Sequence, residues 1–91
     1  MTESHVPPAA ASAVADLAQR IGVDPAEITV VSVEEVTWRD GSLGCPREGM
    51  MYTQALVPGT RIMLARQAQT YEYHAGAGRE PFLCDNPQPP L

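Results

Sequence analysis

The stretch Thr60-Arg-Ile-Met-Leu-Ala-Arg66-Gln67-Ala68-Gln69-Thr-Tyr-Glu-Tyr-His74 decides the fold. Thr60 to Arg66 and Gln69 to His74 read as two strands, and the two-residue link Gln67-Ala68 is short enough to impose antiparallel pairing. Ile62 and Leu64 on the first strand, like Tyr71 and Tyr73 on the second, stand two residues apart and so share a face. The link lacks the Asn-Gly or Gly-X chemistry of the tightest hairpins, so the pairing is better specified than the turn type.

On the N-terminal side, Pro58-Gly59 reads as a turn that ends a short strand, Tyr52 to Val57. Ile28 to Trp38 is rich in β-branched residues, but Val30, Val31 and Val33 cannot share a face with Val36 and Trp38 without a slip; a β-bulge near Glu34 and Glu35 would supply one. From Ala10 to Ile21 the apolar residues Ala10, Val14, Leu17, Ala18 and Ile21 recur at spacings of three and four, the pattern of an amphipathic helix stopped by Gly22. Asp24-Pro25-Ala26-Glu27 carries an N-cap, a first-turn proline and an acid, and predicts one more helical turn. Downstream, Gly76 to Gly78 reads as a mobile turn and Pro81 to Cys84 as a last edge strand. The fold class is α+β: one N-terminal helix packed on a small antiparallel sheet of three to five strands. Its expected core is Val14, Leu17, Ile21, Val31, Val33, Leu56, Ile62, Leu64, Tyr71 and Tyr73.

The chain has 91 residues and room for one core. Prolines mark residues 1–8 and 85–91 as disordered tails around a single domain, 9–84, a size at which a core alone supplies only a few kcal/mol of net stability. Eleven acidic residues oppose six basic ones, all arginine, giving a net charge of −5. A chain of that sign repels nucleic-acid phosphates. No apolar run is long enough to span a bilayer, and no basic leader precedes an apolar stretch. As it stands the chain reads as cytoplasmic, or as exported if a signal peptide has been removed.

The remaining segment, Trp38-Arg-Asp40-Gly-Ser42-Leu43-Gly44-Cys45-Pro46-Arg47-Glu-Gly49-Met50-Met51-Tyr52-Thr-Gln54, is a long loop between strands. Loops of this length rarely lack a purpose. Asp40 or Ser42 can bond local backbone N–H groups, and Pro46 holds Cys45 extended. Trp38, Cys45, Tyr52, Gln54 and Cys84 are its expected anchors; Asp40, Ser42, Leu43, Gly44, Pro46, Arg47 and Met50 are its expected binding surface. The pattern Trp-x-Asp-x-Ser-Leu-Gly-Cys-Pro-x-x-Gly-x-x-Tyr-x-Gln, followed by the strand led by Gly59 and by Tyr71-Glu-Tyr73-His74, resembles a family of small bacterial domains without an established activity. Arg39, Arg47-Glu48 and Thr60 depart from that family's usual Pro, Gln-Pro and aromatic residue. The order of helix then meander is also loosely similar to PepSY and cystatin-like domains, many of which bind or inhibit peptidases.

Cys45 and Cys84 are the two cysteines. Three readings stand for them: a disulfide worth roughly 4 kcal/mol in the chain-entropy model, two reduced structural thiols, or metal ligands, the last without any Cys-x-x-Cys or His pair to support it. His74 could act with Cys45 as a nucleophile pair, or with Ser42 and Asp40 as a triad, if the fold assembled them; an isolated strand-end His is more simply a partly exposed surface residue. Trp38 reads as a core or lid residue, and Glu34-Glu35 as a solvated face. The chain carries no cofactor or metal motif and no catalytic set in its spacing. The leading expectation is a non-enzymatic module whose 40–51 loop binds another protein, with peptidase inhibition as one version. The alternatives are a thiol-based enzyme or redox domain using Cys45 and His74, and a structural subunit of a larger assembly.

Overall fold

The computed structural model describes residues 7–91. Helix α1 spans Pro8–Ile21 and is followed by a 3-10 turn, Pro25–Glu27; the strands are β1 Thr29–Trp38, β2 Val57–Arg66, β3 Gln69–Gly76 and β4 Arg79–Leu83. The strands lie in sequence order, β1-β2-β3-β4, each antiparallel to the next. The α+β class, one helix on a small antiparallel sheet, is the architecture observed.

The helix begins two residues earlier than the periodicity suggests, with Pro8 in its first turn, where the missing N–H costs nothing. It ends where expected: Gly22 takes the left-handed conformation (φ 70°) and donates its N–H to Ala18 O at 2.9 Å. The buried stripe is Ala10, Ala13, Leu17 and Ala18. Three of these are alanines, which bring the helix axis close to the sheet, and they meet Ile28, Ile62, Leu64 and Tyr73 in one core cluster. Val14, Ile21, Val33 and Tyr71, expected in the core, pack at its margin. Asp24 caps the 3-10 turn by accepting the Ala26 N–H at 2.8 Å. Tyr73 crosses the core to donate its hydroxyl to Asp16 at 2.6 Å, and burial followed by that bond pushes its phenol far above the usual range.

The 60–74 hairpin forms with the expected antiparallel pairing and the link at Gln67-Ala68, in a register that sets Ile62 opposite Tyr73 and Leu64 opposite Tyr71. Gln67 supplies the positive φ (56°) that Asn or Gly would normally provide. Three local readings change. The β1 bulge lies at Val31, between the pairs Val30–Leu64 and Ser32–Met63, and not at Glu34–Glu35. This placement keeps Val30 and Val33 on the helix face opposite Leu64 and Ile62, and turns Val31 out to 56% exposure instead of into the core. Tyr52 to Leu56 forms no strand, and Leu56 is exposed. Pro58-Gly59 is not a turn but part of β2. Pro58 is tolerated there because the β2–β3 ladder starts only at Gly59–Gly76, so no partner on that side needs its N–H.

Gly76 to Gly78, read as a mobile turn, closes β3 onto β4 through Ala77-Gly78, both at positive φ (51° and 74°). Most of segment 1–8 lies outside the described residues. Segment 85–91, read as a disordered tail, runs irregularly beside the loop, where Gln88 N–H donates to Gly44 O at 2.8 Å and Leu91 N–H to Thr37 O at 2.9 Å.

Candidate functional site

The meander has two faces, and the helix covers one of them. Alternation places Trp38, Gly59, Arg61, Glu72, His74 and Phe82 on the other, where the Arg39–Leu56 connection folds over them. Trp38 is the centre of this second layer and is fully buried. Its indole N–H donates to Ala75 O at 2.9 Å, and its ring stacks on His74 with centroids 4.3 Å apart. Two glycines make room for it. A Cβ at Gly59 would collide with the pyrrole edge, and one at Gly44 would sit 2.5 Å from Cζ3 and 2.7 Å from Cε3. Gly44 also takes positive φ (73°), so its lack of a side chain serves both turn and packing.

The loop is held in place residue by residue. Asp40 accepts the Ser42 backbone N–H at 2.9 Å and the Ser42 hydroxyl at 2.6 Å, so of the two residues that could make the local turn it is Asp40 that does; the hydroxyl bond, then the backbone bond, hold the Asp40 carboxyl below its usual range. Gly41 N–H donates to Thr53 O at 2.9 Å and ties the two arms together. Leu43 adopts a left-handed backbone (φ 57°), uncommon for a non-glycine residue. In return its side chain is fully buried and its carbonyl accepts from His74 at 2.6 Å. Cys45 and Cys84 form a disulfide, with Cα atoms 5.8 Å apart, that fastens the loop to the end of β4. Tyr52 closes the tip by accepting the Arg47 N–H at 3.0 Å. Gln54 does little of the anchoring expected of it: it is exposed and reaches only Tyr52 O, at 3.5 Å.

His74 is the largest departure from expectation, since it is fully buried and not a surface residue. Nδ1 faces the Leu43 carbonyl, which only accepts, so Nδ1 carries a hydrogen; Nε2 lies 2.7 Å from Glu72 Oε2, at hydrogen-bond distance. Both ring nitrogens are therefore occupied. The Ser42 hydroxyl is directed to Asp40 and the Cys45 sulfur is in the disulfide, so neither the nucleophile pair nor the triad is assembled. Glu72 connects this layer to the surface: Arg61 Nε donates to it at 2.9 Å, and Arg61 also pairs with Glu34 at 3.4 Å. Burial pushes the Glu72 carboxyl up, but the bonds from Arg61 and His74 outweigh it and hold the group below its ordinary value.

Of the expected binding surface, Ser42, Leu43 and Gly44 are buried, Asp40 is half-buried, and Pro46, Arg47 and Met50 are exposed. Met51 is the most exposed large apolar residue among the described residues, at 95%. Between this tip, β4 and the end of α1 lies an open cleft of about 390 Å³, lined by Arg20, Arg47, Arg79, Tyr52 and Phe82 among others. Nothing in the local sequence announces the cleft, because its walls come from three segments far apart in the chain.

Helix, meander and strapped loop define a small α+β domain whose second sheet face is covered by its own β1–β2 connection. The family model described as Domain of unknown function (DUF8738) matches residues 10–84, and the chain belongs to that family. No curated protein and no solved structure matches it.

Proposed function

We propose that the domain is a non-enzymatic protein-binding module that presents the loop tip, Pro46 to Met51, as a preformed surface. One observation carries this reading: Met50 and Met51 are 60% and 95% exposed on a loop whose underside is fixed by Trp38, Leu43 and the Cys45–Cys84 bond. A segment already held in one conformation loses less entropy on binding. Methionine suits such a surface because its unbranched thioether adapts to the opposing contour. The loose likeness to PepSY and cystatin-like domains puts peptidases among the partners to screen. With the Leu43 side chain under the loop, the contact with a peptidase would be made by Arg47 to Met51.

The test is quantitative affinity capture from native lysate with wild-type protein beside a Met50→Asp, Met51→Asp variant whose fold is checked by circular dichroism. A partner that uses the tip is depleted about tenfold or more in the variant, as for loss of a central apolar contact. Equal recovery of every partner by both proteins refutes the reading.

A further inference from the structure

We propose that the cleft between the loop tip, β4 and the C-terminal end of α1 binds a carboxylate that adjoins an apolar group, as at the C-terminus of a peptide or on a free branched carboxylic acid. The chain carries six basic residues against eleven acidic ones, yet three of the six, Arg20, Arg47 and Arg79, converge on this one cavity. Arg20 is paired with Asp16, while Arg61 and Arg66 elsewhere are taken up by Glu72, Glu34 and Glu27. Among the described residues, Arg47 and Arg79 have no carboxylate within ion-pair distance. Two uncompensated guanidinium groups therefore face the single acid on the wall, Asp85, and the cleft stays positive on a protein that is negative overall.

The donors are suited to a planar acceptor. The Arg79 guanidinium carbon lies over the Phe82 ring, 4.4 Å from its centroid, a cation–π contact that leaves the N–H groups able to bond a carboxylate in two-pronged fashion. The Tyr52 oxygen accepts from the Arg47 backbone, which leaves the hydroxyl hydrogen available to donate. Met50 and Phe82 add apolar wall beside these donors. That combination fits a carboxylate with a hydrocarbon neighbour better than inorganic phosphate, which is polar on every side. The volume, about 390 Å³, falls in the range of small-ligand sites, ~300–1,000 Å³. The cleft shares Arg47 and Met50 with the loop tip, whereas Met51, the most exposed residue of the tip, is not among the lining residues.

The test is titration of the full chain, followed by 15N–1H correlation spectra, with acetyl-Ala-Leu as the free acid, the same peptide amidated, 4-methylpentanoate and sodium phosphate. The free acid is expected to give saturable shifts in the 45–52 and 79–85 segments. Amidation, Arg79→Gln and Arg47→Gln are each expected to weaken binding about tenfold or more, the scale of one charge-assisted bidentate contact. Arg66→Gln removes the same charge elsewhere and leaves affinity unchanged, as does Met51→Ala, which trims apolar surface from the tip without placing a charge beside the cleft, so failure of the loop-tip reading and failure of this one are separately visible. Tighter binding of the peptide than of 4-methylpentanoate assigns the site to a peptide terminus, and equal binding assigns it to free carboxylic acids; both support the proposal. It is overturned if no shifts appear into the millimolar range, if the amide or phosphate binds as tightly as the acid, or if Arg66→Gln weakens binding as much as Arg79→Gln.

Discussion

Gly59→Ala is the sharpest probe of the layer under the loop. Gly59 lies beneath the indole of Trp38, and a methyl group there would enter the space between the indole N–H and Ala75 O, colliding with both as well as with Trp38 Cδ1, 2.6 Å away. The ring cannot move sideways, because Gly44 closes its far edge and His74 stacks on its face. The substitution must therefore displace the indole or push β2 from β3. Losing the indole hydrogen bond and leaving the Ala75 carbonyl unsatisfied costs about 1–3 kcal/mol. Overpacking against backbone adds ~1–3 kcal/mol. A combined loss near 4 kcal/mol would consume most of the stability of a domain this small and lower its Tm by on the order of 20 °C. Trp38 is the single tryptophan, so its emission reports the site directly. Guanidinium denaturation followed by tryptophan fluorescence should show a lower midpoint together with red-shifted emission in the native baseline. A variant with the wild-type midpoint and emission maximum would refute the packing argument, and with it the account of why Gly59 is a glycine.

Two further outcomes follow from the same geometry. The disulfide joins residues 39 apart in sequence, a span for which the chain-entropy model gives roughly 4 kcal/mol. A Cys45→Ser, Cys84→Ser variant should melt well below wild type in non-reducing buffer and match fully reduced wild type, and intact-mass analysis of the unreduced protein should show the loss of two hydrogens. The third outcome concerns pH. Because the folded-state Glu72 carboxyl lies below its ordinary value of 4.5, the unfolded chain binds the proton more readily; the stabilisation is present above that value and is lost as pH falls through the lower, folded one. Glu72→Gln should thus be less stable than wild type near neutrality, by about 1–3 kcal/mol for the lost charged bonds, and the gap should close as calorimetry is carried into acid. A gap that stays constant down to full protonation would show that Glu72 is not acting as a carboxylate there.

The main outline of the fold is local information. The 60–74 hairpin, the Ala10–Ile21 periodicity and the Gly22 stop are each legible because a two-residue link and a 3.6-residue period constrain the chain over short distances. A local side-chain turn at Asp40 or Ser42 is legible for the same reason. The bulge at Val31 was not, since one inserted residue repairs the valine pattern at several positions and only pairing with Leu64 and Met63 chooses among them. Pro58-Gly59 carries turn chemistry, yet the Trp38 ring demands a residue without a side chain at that point of a strand, and packing overrides the local preference. The same holds for His74, whose burial depends on a carbonyl 31 residues away at Leu43 and on the loop that covers it. By itself the sequence determined one helix, a hairpin and a constrained loop. Only the tertiary structure decided that the loop closes the sheet's second face, that Cys45 meets Cys84, and that three arginines share a cleft, because each of these is a long-range coincidence of positions that no local pattern encodes.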